Sequence, residues 1–310
     1  MPREAAAPFN NSKADIVLRS SDNVYFRIFR CMLMFASPFF ESMFDLPQPS
    51  RKPTDDETLD GLNVLRVSEN SRTLDILLRF CYPAAIKDPV LEDMNDIENV
   101  LEAAIKYGME EVEERLKKAI AASPLLESNP LGIFAIACRH GYVPEARIAA
   151  RYSLHHPTPT PEIIVKARIH GDVMPGLVEF RSQCSLAART LCNNLDWLKQ
   201  AQSHSFYEWW TNCCPCNSRA DVRYLTHGTY PRDWWADYME ETAIALEESP
   251  CGAAVTKNMA KAVERASSCP SCRRRAHQQM IHFTEAFALE LDKSIAKVSK
   301  AINGVVAIWI

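Results

Sequence analysis

An α+β unit, a small sheet flanked by helical hairpins, followed by an all-α region, is the fold class this sequence predicts. Three observations carry it. Ile16-Val17-Leu18-Arg19 and Val24-Tyr25-Phe26-Arg27 are strand-like runs around the polar stretch Ser20-Ser21-Asp22-Asn23, the pattern of a hairpin. Two short apolar helices are predicted next, Cys31 to Ala36 and Ser37 to Phe44. Ser37 suits the cap of the second, and Pro38 its first position, where a missing N–H is no loss. In the remaining two-thirds apolar residues recur at helical spacing, and Gly is scarce at 9 residues.

The other elements follow in order. Asp45 to Glu57 is polar and Pro-rich, an exposed loop. Val64-Leu65-Arg66-Val67 is the next strand, and Ser68 to Ser71 supplies turn and capping residues. Leu74, Leu77, Leu78 and Cys81 mark a helix that Pro83 stops. Ile97, Leu101, Ala104 and Ile105 form one helical stripe, and Met109, Val112, Leu116 and Ile120 the next. Acidic residues open that second helix and Lys117-Lys118 close it, which complements the helix dipole. Helices are then predicted from Pro130 to Cys138 and from Tyr142 to Leu154, with a stiff break from His155 to Pro161. One long helix is predicted over Val173 to Lys199 and another along the stripe Met280 to Trp309, packed with the pairs Trp209-Trp210 and Trp234-Trp235 between them. The expected organisation is a flexible arm over 1–14, the α+β unit over 15–122, a helical extension over 123–200 and a C-terminal helical domain over 201–310.

Four segments, in this order, resemble the BTB/POZ domain. Asp15-Ile16-Val17-Leu18 looks like its opening strand, and Ser37-Pro38-Phe39-Phe40-Glu41-Ser42-Met43-Phe44 like its S-x-x-F-x-x-M-F helix. Leu77-Leu78-Arg79-Phe80-Cys81-Tyr82 looks like its L-L-x-F-x-Y helix, and Leu101-Glu102-Ala103-Ala104-Ile105-Lys106-Tyr107-Gly108-Met109 like the A-A-x-K-Y-x-M turn between its last two helices. The pairing of Leu46-Pro47-Gln48-Pro49 with Leu78 to Pro83 is similar to the BTB proteins abundant in mushroom-forming (basidiomycete) fungi. The resemblance implies a non-enzymatic protein–protein interaction scaffold with protein partners.

It also implies self-association through the first helix, where Cys31, Met32, Met34 and Phe35 are the candidate face. Burial of the same residues within one chain is the alternative. Many family members carry a His-Lys or His-Arg pair where that helix begins. Here Phe29-Arg30 stands there, so corepressor recruitment through a charged pocket is not expected. Members that recruit cullin ubiquitin ligases often have an apolar-x-Glu motif in the loop after the S-x-x-F helix. Here the loop reads Asp45-Leu46-Pro47-Gln48, with Gln in place of Glu. Phe134, Ile136 and Tyr142 are candidates for the helical extension such adaptors use, and a cullin substrate adaptor is the alternative function.

Two C-x-x-C pairs lie outside this unit, Cys213-Cys214-Pro215-Cys216 and Cys269-Pro270-Ser271-Cys272. Cys213, Cys216, Cys269 and Cys272 suit the ligand set of a structural zinc, and unliganded thiols are the alternative. No other cofactor is expected. The sequence has no G-x-S-x-G, H-E-x-x-H or Gly-rich phosphate-loop pattern, so no enzyme is predicted. A net charge of −4 gives no reason to expect nucleic-acid binding. The first residues carry charge early, unlike a secretory signal, and no apolar run reaches the length of about eighteen residues a membrane span needs. With 11 cysteines and no secretory route, the thiols are expected reduced and the protein intracellular, cytoplasmic or nuclear.

Overall fold

Consecutive apolar residues at Ile16, Val17 and Leu18 demand cover on both faces of one strand, and the fold supplies it. In the computed structural model, which describes residues 3–46, 58–83, 89, 91, 93–169, 171, 173–200, 224 and 230–306, the chain divides into two compact units, residues 1–129 and 130–310.

In the first unit β1 (Arg3–Glu4), β2 (Ile16–Arg19) and β3 (Val24–Ile28) precede two helices, α1 (Arg30–Ala36) and α2 (Pro38–Asp45). Then come β4 (Thr58–Leu59), β5 (Leu62–Arg66) and four helices: α3 (Ser71–Cys81), α4 (Met94–Lys106), α5 (Glu110–Ala121) and α6 (Leu125–Ser128). The sheet order is β1-β3-β2-β5-β4. β2 and β3 form the predicted hairpin, with Leu18 opposite Phe26, and Asn23 takes a φ of 62° in its turn. β5 runs parallel to β2, with Val17 opposite Val64. β3 alternates buried and half-exposed, as a strand with one covered face does. A short hairpin, β4–β5, was not predicted. It turns on Asp60 and Gly61, both at positive φ (50° and 80°), the chemistry of a two-residue turn.

The N-terminal segment departs from the expected flexible arm. Arg3–Glu4 pairs parallel with β3, and the Arg27 backbone N–H donates to the Phe9 carbonyl at 2.8 Å. Phe9 is fully buried, its ring 5.7 Å from Phe26 and edge-on to Tyr82 at 5.5 Å. One core slot for one aromatic side chain anchors the arm.

The second unit begins with a helical hairpin, α7 (Pro130–Arg139) and α8 (Val143–Ser153), turning at Gly141 with φ 70°. The Pro-containing break precedes α9 (Pro161–Lys166), followed by α10 (Met174–Asn193) and α11 (Asp196–Gln200). The single helix expected over Val173 to Lys199 is therefore broken. Asn194 leaves helical geometry, and its side-chain oxygen accepts the Asp196 N–H at 2.8 Å, starting a new helix. The break turns Leu195, Trp197 and Leu198 into the core.

α12 (Asp233–Glu248), α13 (Gly252–Lys257), α14 (Met259–Ser267) and the long α15 (Ala276–Val306) complete the unit. Met280, Phe283, Phe287, Leu291 and Ile295 on α15 are all buried, as their spacing predicts. Phe283 sits among Trp197 at 5.9 Å, Trp235 at 5.5 Å and Tyr238 at 6.1 Å. Trp234 and Trp235 are buried, whereas Trp209 and Trp210 lie outside the described residues. α10 packs on both α12 and α15, so residues 200 and 201, expected to divide two domains, fall inside one unit.

Candidate protein-interaction surface

α1 is too short to hide four large apolar side chains behind one strip of core. Leu33 points inward and is buried, and it is the one such residue in the helix. Cys31 is exposed, Met32 and Met34 are half-buried, and Phe35 is 88% exposed. Of the four candidate residues, Cys31 and Phe35 face outward, while Met32 and Met34 are partly covered within the chain. Phe39 on α2 and Leu46 just after it are also largely exposed. The sequence motifs include both, Phe39 in the S-x-x-F helix and Leu46 in the loop after it, but the S-x-x-F spacing draws attention to Phe40, which is buried.

The scaffold beneath this face is held by Ser37. Its hydroxyl accepts the Phe40 N–H at 3.2 Å, the cap the sequence predicts. The same hydroxyl donates to the Tyr107 carbonyl at 2.6 Å, tying the start of α2 to the turn between α4 and α5. The Tyr107 ring packs on Phe40 at 4.8 Å and on Phe39 at 5.6 Å. Its hydroxyl donates to Glu69 at 2.6 Å, and Lys106 reaches the same carboxylate at 2.7 Å. Ser37→Ala removes the cap and leaves a buried carbonyl short of a donor. It is expected to destabilise the first unit by about 1–2 kcal/mol, read as a lower thermal transition of the full chain; an unchanged transition contradicts this role.

Two carboxylates tie this unit's stability to pH. Asp22 accepts from the Ser71 hydroxyl at 2.6 Å, from the Ser71 N–H at 2.7 Å and from the Ser20 hydroxyl at 2.7 Å. The Ser71 hydroxyl above all lowers its pKa from 3.8 to about 2. For Glu69 burial is the largest influence and acts upward, but the donors from Lys106 and Tyr107, with lesser ones, outweigh it and the pKa falls. A carboxyl depressed in the folded state stabilises above its unfolded pKa and ceases to do so as pH falls through its folded value. Stability of the first unit is therefore expected to hold at neutral pH and to decline from pH 4.5, where Glu69 begins to lose its contribution, and from 3.8 to about 2 for Asp22. Asp22→Asn is expected to flatten part of that acid branch in pH-dependent melting; a variant with the parent's slope rules this out.

The remaining predicted positions fall as follows. Phe29 is half-buried, and its N–H donates to the Tyr82 hydroxyl at 3.4 Å. Arg30 lies over the Phe44 ring at 4.8 Å, with its backbone N–H on Asp15 at 2.6 Å. Phe134, Ile136 and Tyr142 are buried. They serve as core of the helices α7 and α8 and offer little surface to a partner. Pro47 and Gln48 of the loop after α2 lie outside the described residues, as do Cys213 and Cys216. Cys269 and Cys272 are half-buried in the turn between α14 and α15. Among the described residues no group of three or more His, Cys, Asp or Glu side chains could hold a metal ion. Burial pushes the thiols of Cys81, Cys184 and Cys192 up to about 12, so they stay protonated and poorly nucleophilic at neutral pH. No helix among the described residues is long and apolar enough to cross a membrane.

Comparison with known proteins agrees with this geometry. The family model for the BTB/POZ domain matches residues 7–123, and no curated protein matches the chain. The match begins within the segment expected as a flexible arm, where Phe9 joins the core. BTB/POZ domains are generally interaction modules rather than enzymes.

Proposed function

Since residues 7–123 are a BTB/POZ domain, we propose that the chain is a non-enzymatic protein–protein interaction scaffold that self-associates through the outward face of α1. The observation that carries this reading is the placement of Phe35, 88% exposed on a helix whose inward position is held by Leu33. A phenyl ring left in water gains free energy when a second copy covers it, and a two-fold contact counts that gain twice. Met32 and Met34 beside it supply adaptable packing surface. Reduced thiols and an intracellular setting, cytoplasmic or nuclear, belong to the same reading. Sedimentation equilibrium of the full chain over a micromolar concentration series tests it: a monomer–dimer equilibrium is expected, and a monomer throughout contradicts it.

A second reading, a substrate adaptor of a cullin-type ubiquitin ligase, draws on the helical hairpin α7–α8 that directly follows the BTB/POZ domain in the chain. A pull-down of the full chain with a cullin N-terminal region decides it. Binding at micromolar concentration supports the adaptor; its absence leaves the scaffold.

A further inference from the structure

The second unit holds a buried cation whose charge meets no carboxylate among the described residues. Arg181 on α10 is 5% exposed. One terminal nitrogen donates to the Ser153 carbonyl and to the Ser153 hydroxyl. The other donates to the carbonyls of His156 at 2.8 Å and Glu248 at 3.1 Å, while Nε has no hydrogen-bond partner. Every acceptor is neutral. Arg181 also lines an open groove of about 530 Å³ along the outer side of α10.

The groove is built for something apolar as well. Met174, Val178 and Leu186 line it from α10, with Ile164 from α9 on the other wall. Val178 is 51% exposed and Leu186 58%. α9 carries Ile163-Ile164-Val165, yet it buries none of its residues. From Met174 to Arg189 the lining stripe runs about 22 Å along the helix, the reach of a peptide segment rather than an enclosed small molecule. Among the described residues three charged ones line the groove: Arg181, Arg189 and Glu247. Arg189 takes the Glu247 carboxylate at 3.0 Å, which leaves Arg181 the one positive charge among the described lining residues offset by neutral carbonyls alone. In a partly desolvated cleft that charge attracts an anion more strongly than it would in water.

We propose that this groove docks a segment of a partner protein in which an acidic side chain is flanked by apolar ones. The apolar side chains cover Val178 and Leu186, and the carboxylate offsets Arg181. This surface lies in a different unit from α1 and does not depend on self-association.

The test uses the full-length chain and a phage-displayed library of random dodecapeptides, with the best binder made synthetically and followed by fluorescence anisotropy. Enriched peptides are expected to carry Asp or Glu between apolar residues. Changing that acid to its amide, or introducing Val178→Asp with Leu186→Asp, is expected to weaken binding by about tenfold or more. Both groove positions are exposed, so this variant is expected to fold, which its melting curve checks. Glu247→Gln removes the groove's own carboxylate and is expected to tighten binding by about threefold. Phe35→Asp is expected to leave peptide binding unchanged, which separates this proposal from the self-association reading. No enrichment, binders indifferent to the acid or to the groove variant, or a change in oligomeric state with Val178→Asp (a second copy in the groove) overturns it.

Discussion

Replacing Arg181 by Met is expected to destabilise the second unit by about 3–5 kcal/mol. The guanidinium joins the last residue of α8, the chain just beyond it and the last residue of α12, through the carbonyls of Ser153, His156 and Glu248. Two of those carbonyls lie at helix C-termini, where the backbone lacks its own donors and the helix dipole presents partial negative charge. These ends offset part of the charge and make a buried cation tolerable, although desolvation still pulls its pKa below the ordinary arginine value. Methionine fills a similar volume but donates nothing, so three carbonyls lose their donor in a largely dry site. In calorimetry on the full chain the transition of this unit is expected to fall by about 10 °C. Arg181→Lys, with one compact ammonium in place of a planar fork, is expected to fall between the two. A Met variant melting within about 2 °C of the parent would show the bonds to be dispensable.

Phe35→Asp is expected to weaken self-association by at least about 100-fold. The ring makes little contact with its own chain, being 88% exposed. The substitution therefore costs the isolated monomer almost nothing, and below the dissociation concentration parent and variant are expected to melt together. In a two-fold dimer both copies lose an aromatic anchor and gain a charge that must be desolvated against its symmetry mate. Sedimentation of parent and variant at equal concentration gives the answer. A dimer that survives in the variant locates the contact elsewhere, while a variant that melts early even at concentrations where both proteins are monomers implicates the fold instead.

Local chemistry is legible in residue order alone. The Ser37-Pro38 start of α2 depends on a cap and a ring within three residues of each other, and the structure has it. The stripe Met280, Phe283, Phe287, Leu291 and Ile295 is likewise a matter of spacing on one helix, and all five are buried. Phe9 was missed because a lone aromatic among polar neighbours has no period to betray it. Its slot is made by Phe26 and Tyr82, distant in sequence. Asn194 was missed because the polar residues Asn193, Asn194 and Asp196 lie off the stripe, whose apolar positions Leu191, Leu195 and Leu198 keep their spacing. What ended the helix was its side chain capping the next one.

The functional face follows the same division. That α1 is apolar, and that this part of the chain has the strand and helix order of a BTB/POZ domain, can be read from residue order, because hydrophobic period and capping act within a few positions. Which of its side chains meets water cannot, since a two-turn helix has too few residues for its period to separate inside from outside. Packing against the rest of the unit turned Leu33 in and Phe35 out. Arg181 is the extreme instance: in the chain it is one arginine among many. Its burial exists because folding brings carbonyls from residues 153, 156 and 248 around a single guanidinium, and only assembly in three dimensions provides that.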